Sequence, residues 1–553
     1  LFAFRAEAGR AYSFRKFAIV EDDALGDCAG AASACAEAAA QGFAVWLERQ
    51  DAAWEARWAA CDVDIEGDEA AALALRFSMY HLLAIAPPPG SALSIPARGL
   101  SGQVYKGAVF WDTEIFMLPF FLSAFPDTAR TLVEYRVAGL PGARRKAAEY
   151  GFSGAFFAWE SQEGGEDACT LYNVNDVIKK RPIRTFFRDK QMHVSADVAY
   201  ALWRYFRATG DRGILLEGGA ELMYECARFI VSWLYYKPGK ERYEILDVTG
   251  PDEYHERTHN DYYTNAICAY ALNACVEMDA LLLALEPEAR SRIVSSLALE
   301  RELRELPAIA AKLFVPMPDP ATRVIPQFDG YGELEDVALA ELLARKLHPN
   351  EYLGGGDGLA RWTKVIKQAD VVLALALLSG AEGEDAKIAR ANWGYYEPRT
   401  EHGSSLSASA YSLLAGRLGM ADAAYAYFMK TSTVDLSGDS KQYVGDLYIG
   451  GTHPAANGGA WLALYAGILG IEAEGDRLRL SPALPANWES VSLNVYCGSG
   501  GARRRIRARV SRDRVRLEAV GPLPGGRFDA ELEVAAFGKR AVWDGAAPIE
   551  IIA

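Results

Sequence analysis

The residues best suited to chemistry lie in eight short polar and aromatic segments. They are GAVFWDTEIFMLPFF (107–121), AWESQEGGED (158–167), RTFFRDKQMHVSAD (184–197), VTGPDEYHERTHNDYYTN (248–265), IPQFDGYGELED (325–336), KVIKQADVV (364–372), YYEPRTEHGSSLS (395–407) and GTHPAANGGAWLA (451–463). Trp, Asp, Glu, Arg, Lys, Gln and His recur in them. This set suits a sugar: aromatic faces pack on the C–H surface of the ring, and charged or amide groups bond to vicinal hydroxyls. Cleaving a glycosidic bond further needs a carboxylic acid near the departing oxygen, with its pKa raised by its surroundings.

Each segment also has a purely structural reading. Trp111–Asp112 fits a buried Trp followed by a helix cap. Gly250–Pro251 fits a turn, and Asp252–Glu253 the start of a helix. His255 and His259 have the i, i+4 spacing of a metal pair, but there is no HExxH and no further His close in sequence, so no metal site is expected. HGSS (402–405) fits a capping device, and it equally offers hydroxyls and backbone N–H groups at a positive helix end, where phosphate is welcome. Gly458–Gly459 allows either close helix packing or the approach of an anion to the backbone.

The elements that must position these residues are mostly helical. In SADVAYALWRYFRATGD, residues Val198, Leu202, Tyr205 and Phe206 fall on one apolar face, with Ser195 as N-cap and Gly210 as stop. About a dozen such patterns span 66–470, and several end in Gly and lead directly into another helix, as antiparallel pairs do. No repeat of fixed period is visible, which favours a closed toroid over a solenoid. Each chemical segment precedes a helical pattern. In a toroid such loops gather at one end, around one pocket.

After residue 471 the pattern alternates at period two in DRLRLSP and RRIRARVSRDRVRLEAV, with the turn signal GPLPGG, and predicts a small antiparallel β domain. Residues 28–65 are Ala-rich and predict a helical linker, and AYSFRKFAIV (11–20) reads as strand-like. A chain of 553 residues exceeds one compact core, so two or three domains are expected.

The formal net charge is −15 and the one basic run, Arg503–Arg505, is short, so nucleic acid is not an expected partner. No stretch of about 18 apolar residues is free of charge, and no membrane span is expected. Eight cysteines without a CxxC predict reduced thiols in a cytoplasmic protein. Twelve Trp and 27 Tyr suit either ring stacking on a ligand or a large aromatic core.

Taken in order, the eight segments resemble glycoside hydrolase family 65, and the resemblance runs from about residue 70 to 520. That family contains inverting phosphorylases of maltose, trehalose, kojibiose, nigerose and related α-glucosides, plus a few hydrolases. The resemblance implies a mainly α fold with an (α/α)6 toroid at 66–470, a helical linker at 28–65 and a C-terminal β domain at 471–553. Residues 1–27 then correspond to a remnant of an N-terminal β-sandwich, most of which is expected to be missing.

It makes Glu253 the general acid, Trp111, Asp112, Trp159, Glu160, Lys367 and Gln368 the glucose-holding set, and Ser404, Ser405, His453 and the Gly458–Gly459 backbone the phosphate-holding region. Arg188, Asp189, Lys190 and Gln191 are expected near the acceptor. The segment YRVAGLPGARRKA (135–147) departs from the family pattern and is expected to alter a pocket wall.

Three functions stay open at this point. They are inverting phosphorolysis of an α-linked glucosyl disaccharide to β-glucose 1-phosphate, inverting hydrolysis with Glu397 or Glu401 as base, and sugar binding without turnover. The HGSS and THxxxxGG segments favour phosphorolysis, with inorganic phosphate as co-substrate and no metal or organic cofactor. Homodimers are common in the family. The sequence does not specify the linkage.

Overall fold

The computed structural model describes residues 3–20, 30–102, 104–438, 443–444, 447–498, 503–521 and 527–553. Two units divide the chain at Asp62. In the first, the helices Ala31–Gln41 and Phe43–Cys61 meet at Gly42, where φ is 84° and a side chain would be strained. Residues 11–20 carry no regular secondary structure. The strand-like pattern there finds no partner strand among the described residues of this unit, and Phe14 and Val20 are exposed. Most of GPLPGG lies outside the described residues.

In the second unit, six helical segments form an inner ring: Thr113–Met117 continuing into Leu118–Ala124, His193–Thr209, Tyr262–Leu285, Val371–Leu378, Ser407–Arg417, and Pro454–Leu462 continuing into Ala463–Ile468. Each packs against the next, and the last returns to the first. Helices such as Pro126–Ala138, Ala220–Trp233, Gly383–Tyr396 and Ala421–Ser432 pack outside them. This alternation is the expected (α/α)6 toroid.

The inner segments are buried nearly all round at their pocket ends, because neighbours cover both flanks, as at Tyr262–Asn265 and His193–Leu202. Small residues let them touch. A Cβ on Gly458 would lie 2.3 Å from the Phe116 carbonyl oxygen, and one on Gly459 2.5 Å from Ser409 Cβ. Tyr262–Leu285 is, by length and composition, apolar enough to cross a membrane, which the sequence reading did not anticipate. Here it is an inner-ring helix packed on the His193 and Val371 helices.

The C-terminal region forms two sheets. Ser490–Cys497, Arg504–Val510, Arg514–Ala519 and Ile549–Ile552 pair antiparallel, and Asp64–Glu66, which the sequence reading divided between the linker (to 65) and the toroid (from 66), joins their edge at Ser490–Ser492. In the second sheet Leu532–Ala536 pairs antiparallel with Lys539–Trp543 but parallel with Arg477–Leu480. Period-two alternation reports which face a residue takes and not the direction of its partner strand, so the parallel pair was not legible.

Candidate active site

The loops that enter the inner helices meet around a cavity of about 400 Å³, a size that suits a disaccharide. Trp111, Asp112, Trp159, Glu160, Glu253, Lys367, Gln368, Ser404, Ser405 and His453 all line it. Ten of the positions singled out in the sequence therefore converge, from segments up to 342 residues apart in the chain (453 minus 111).

A buried ion pair holds the first loop. Arg136 donates from Nε and Nη2 to the two oxygens of Glu114 at 2.7 and 2.8 Å, and from Nη2 to the Phe110 carbonyl at 3.0 Å. Two bonds to one planar carboxylate fix both partners, and so fix Trp111 and Asp112 between them and the pocket. The YRVAGL departure thus lies beneath the loop: Arg136 does not line the cavity. Trp111 is wedged by His193 and Tyr263 at 5.2 and 5.9 Å between ring centroids. Burial, with Glu114 adding, pushes Asp112 up to about 7 against the pull of Arg98. Trp159 packs edge-on to Phe110 at 4.7 Å. Burial raises the adjacent Glu160, although Lys106 is hydrogen-bonded to it.

Asp252 organises the segment carrying Glu253. It is buried and accepts four hydrogen bonds, from Lys367 N–H (2.8 Å), Tyr254 N–H (3.2 Å), the His255 ring (2.6 Å) and Gln327 Nε2 (3.0 Å). The Lys367 bond joins the 251–254 turn to the 366–368 segment, and the Lys367 ammonium reaches Glu253 Oε2 at 2.5 Å. Burial pulls that ammonium down, but Glu253 outweighs it and holds the pKa above the ordinary lysine value. Gln368 donates to the Pro251 carbonyl, and its own buried Oε1 has no partner among the described residues. His255 and His259, weighed above as a metal pair, are engaged separately. His255 bridges Asp252 and the Thr363 carbonyl, and His259 Nδ1 accepts from the Asp247 N–H.

Several expected residues lie elsewhere. Arg188, Asp189, Lys190 and Gln191 do not line the cavity. They pair behind its wall, Arg188 with the Cys169 carbonyl, Asp189 with Arg184, Lys190 with Asp247 and Gln191 with His193. Tyr172, Asn173, Val174 and Phe187 line that side instead. Gly458 and Gly459 sit inside their helix, pressed against Phe116 and Ser409, and serve helix packing.

Glu397 and Glu401 are also outside the cavity lining. Glu397 accepts from the Tyr427 hydroxyl at 2.7 Å and Glu401 from the buried Tyr254 hydroxyl. Sequence reasoning missed Arg98, Lys106, His402 and Lys430, which do line the cavity. None of the first, second and fourth belongs to the eight segments. Burial, with Lys430 adding, lowers His402 to about 3 and keeps it neutral.

The glycosyl hydrolase family 65 central catalytic domain matches residues 76–462, about seven tenths of the chain. The chain belongs to glycosyl hydrolase family 65. Among family relatives, nigerose phosphorylase of Lachnoclostridium phytofermentans is 47% identical over 454 residues, 82% of this chain and 60% of that protein. The 1,2-alpha-glucosylglycerol phosphorylase of Bacillus selenitireducens is 39% identical over 80% of this chain and 57% of its own. Kojibiose phosphorylase of Halothermothrix orenii is 38% identical over 80% and 56%. The chain thus spans less than two thirds of the length of these relatives. A solved human-microbiome protein assigned as a kojibiose phosphorylase superposes with a TM-score of 0.80 at 23% identity, over 95% of this chain and 67% of that one, and has the same family fold.

Proposed function

We propose that this chain carries out inverting phosphorolysis of an α-glucosidic bond, releasing β-glucose 1-phosphate and a free sugar or polyol. Glucose is held by Trp111, Asp112, Trp159, Glu160, Lys367 and Gln368. A phosphate oxygen attacks the anomeric carbon from the face opposite the leaving oxygen. The C1–O bond to the acceptor breaks as Glu253 passes its proton to that oxygen, and Glu253 is reprotonated from solvent. Phosphate is an anionic nucleophile already, so the step balances without a second carboxylate, a metal or an organic cofactor.

One observation carries this reading over hydrolysis. The cavity wall holds Ser404, Ser405 and His453 at the starts of two neighbouring inner helices, with Lys430 nearby, while Glu397 and Glu401 are withdrawn from it. Hydroxyls, helix N-termini and a cation suit an anion. A hydrolase needs a base about 6.5–9.5 Å from the acid to activate water. The names of the relatives, all phosphorylases of α-glucosyl compounds, point the same way. We assign the protein to the cytoplasm, in keeping with seven free thiols among the described residues.

The test is product release from a panel of α-linked glucosyl disaccharides with and without inorganic phosphate. Glucose 1-phosphate formed only when phosphate is present supports the reading, and the best substrate names the linkage. Free glucose at an equal rate without phosphate replaces it with hydrolysis.

A further inference from the structure

His453 is the residue before the inner helix Pro454–Leu462, and its side chain lines the cavity. Behind it lies Asp435, from the short turn Val434–Ser437. Asp435 grips His453 twice. Its Oδ1 is 2.6 Å from the ring Nδ1, and its Oδ2 accepts the His453 backbone N–H at 2.9 Å. Asn457 donates to the same Oδ2 at 3.4 Å. Both side chains are more than nine-tenths buried.

An ionised carboxylate can only accept, so Nδ1 must carry the proton in that bond. Asp435 is held in the ionised form. Burial pushes its pKa up, but the two bonds from His453 outweigh this and hold it below the ordinary carboxylate value. Nδ1 is thereby committed, and Nε2, with no hydrogen-bond partner among the described residues, is left to the cavity. The second grip, on the backbone, ties the ring's orientation to the start of the helix.

The other cavity imidazole is built differently. His402 faces hydroxyls, with Nδ1 2.9 Å from Ser407 Oγ and Nε2 3.3 Å from the Tyr427 hydroxyl, and it has no carboxylate partner among the described residues.

We infer that Asp435 is a positioning residue for phosphate: acting through His453, it fixes the tautomer and aim of the ring so that Nε2 accepts the P–OH hydrogen of hydrogen phosphate in the wall that carries Ser404 and Ser405. This rests on the phosphorolytic reading above and adds to it a residue outside the eight segments. A carboxylate behind a ligand-binding imidazole does the same service in metal and triad sites, by orienting the ring and compensating charge gained at the far nitrogen. Asp435 touches neither reacting atom and acts only through the ring.

The experiment is calorimetric titration of the full chain with inorganic phosphate, for wild type, Asp435→Asn, His453→Gln and the double variant. Glucose titration followed by Trp fluorescence is the control. Asn keeps the size but turns one acceptor into a donor, so it cannot serve both N–H groups of His453. Asp435→Asn is expected to weaken phosphate binding roughly ten-fold or more and to leave glucose binding unchanged, and the double variant is expected to be no weaker than His453→Gln alone.

Wild-type phosphate affinity in Asp435→Asn, or independent losses from the two single changes, overturns the inference and leaves phosphorolysis standing. A wild-type chain that binds no phosphate removes both. Nitrogen NMR of the wild-type imidazoles reads the same point without a variant: His453 must carry a proton on Nδ1, and a bare Nδ1 overturns the inference even if the Asn variant does not fold.

Discussion

The Lys367 ammonium stands 2.5 Å from Oε2 of Glu253, and both side chains are about six-sevenths buried, at 15% and 14% exposure. The expected acid therefore accepts a hydrogen bond from a residue of the glucose-holding set. The pair gives different variants different signatures. Glu253→Gln keeps the shape and a hydrogen-bond acceptor for Lys367 but has no proton to give. Phosphorolysis is expected to fall roughly a hundred- to ten-thousand-fold, with glucose binding retained. Lys367→Met leaves Glu253 without this cation and takes a donor from glucose, so it is expected to lower both glucose affinity and the melting temperature. Steady-state rates with fluorescence titration separate the two. Turnover surviving in Glu253→Gln would remove Glu253 as the acid.

Asp112 gives a stability signature with a definite sign. Its pKa rises from 3.8 to about 7 on folding, chiefly through burial. Between these values the folded chain holds a proton that the unfolded chain has released, so this residue makes stability fall as pH rises through that window. Below the window both states are protonated, and above it the loss is complete. Asp112→Asn cannot ionise. Its melting temperature relative to wild type is expected to climb from about pH 4 to about pH 7 and then level off. A difference that is constant with pH would show that Asp112 is not the titrating group.

Legibility in the sequence followed local density of signal. Ten pocket residues were readable because each sits in a polar-aromatic segment before a helix, and the toroid brings those segments together. Asp435 and Lys430 were not, since they lie in and just after the outer helix Ala421–Ser432, where a charged residue ordinarily faces water. Arg188 to Gln191 misled for the opposite reason. Charged side chains in a chemical segment can satisfy one another behind the wall, and Asp189 with Arg184 does so at 2.7 Å. The three-residue strand Asp64–Glu66 is too short for a period to register.

Gly458 separates packing from ligand binding. The added methyl of Gly458→Ala would meet the Phe116 carbonyl oxygen at 2.3 Å, and Met117 Cα at 2.8 Å. These are backbone atoms that cannot rotate away. The substitution is expected to cost about 1–3 kcal/mol through overpacking of two inner helices, read as a lower denaturation midpoint, with phosphate affinity of the folded protein unchanged. A phosphate-binding backbone would give the reverse, weaker phosphate binding at unchanged stability.

Glu397 and Glu401 decide between the two chemistries from the side of the base. Glu401 accepts from Tyr254, the residue after the expected acid, and Glu397 from Tyr427. Glutamine at either position keeps an oxygen for the tyrosine hydroxyl while abolishing basicity, so the tyrosine bond is retained and proton abstraction is removed. In phosphorolysis nothing abstracts a proton from the nucleophile, and Glu397→Gln and Glu401→Gln are expected to form glucose 1-phosphate at close to the wild-type rate. In an inverting hydrolase the variant that removes the base loses roughly a hundred-fold or more. Glucose and glucose 1-phosphate measured side by side in both variants, at saturating phosphate and without it, discriminate the two. A phosphate-dependent rate that collapses in either variant would give that carboxylate a part in phosphorolysis for which the geometry offers no place.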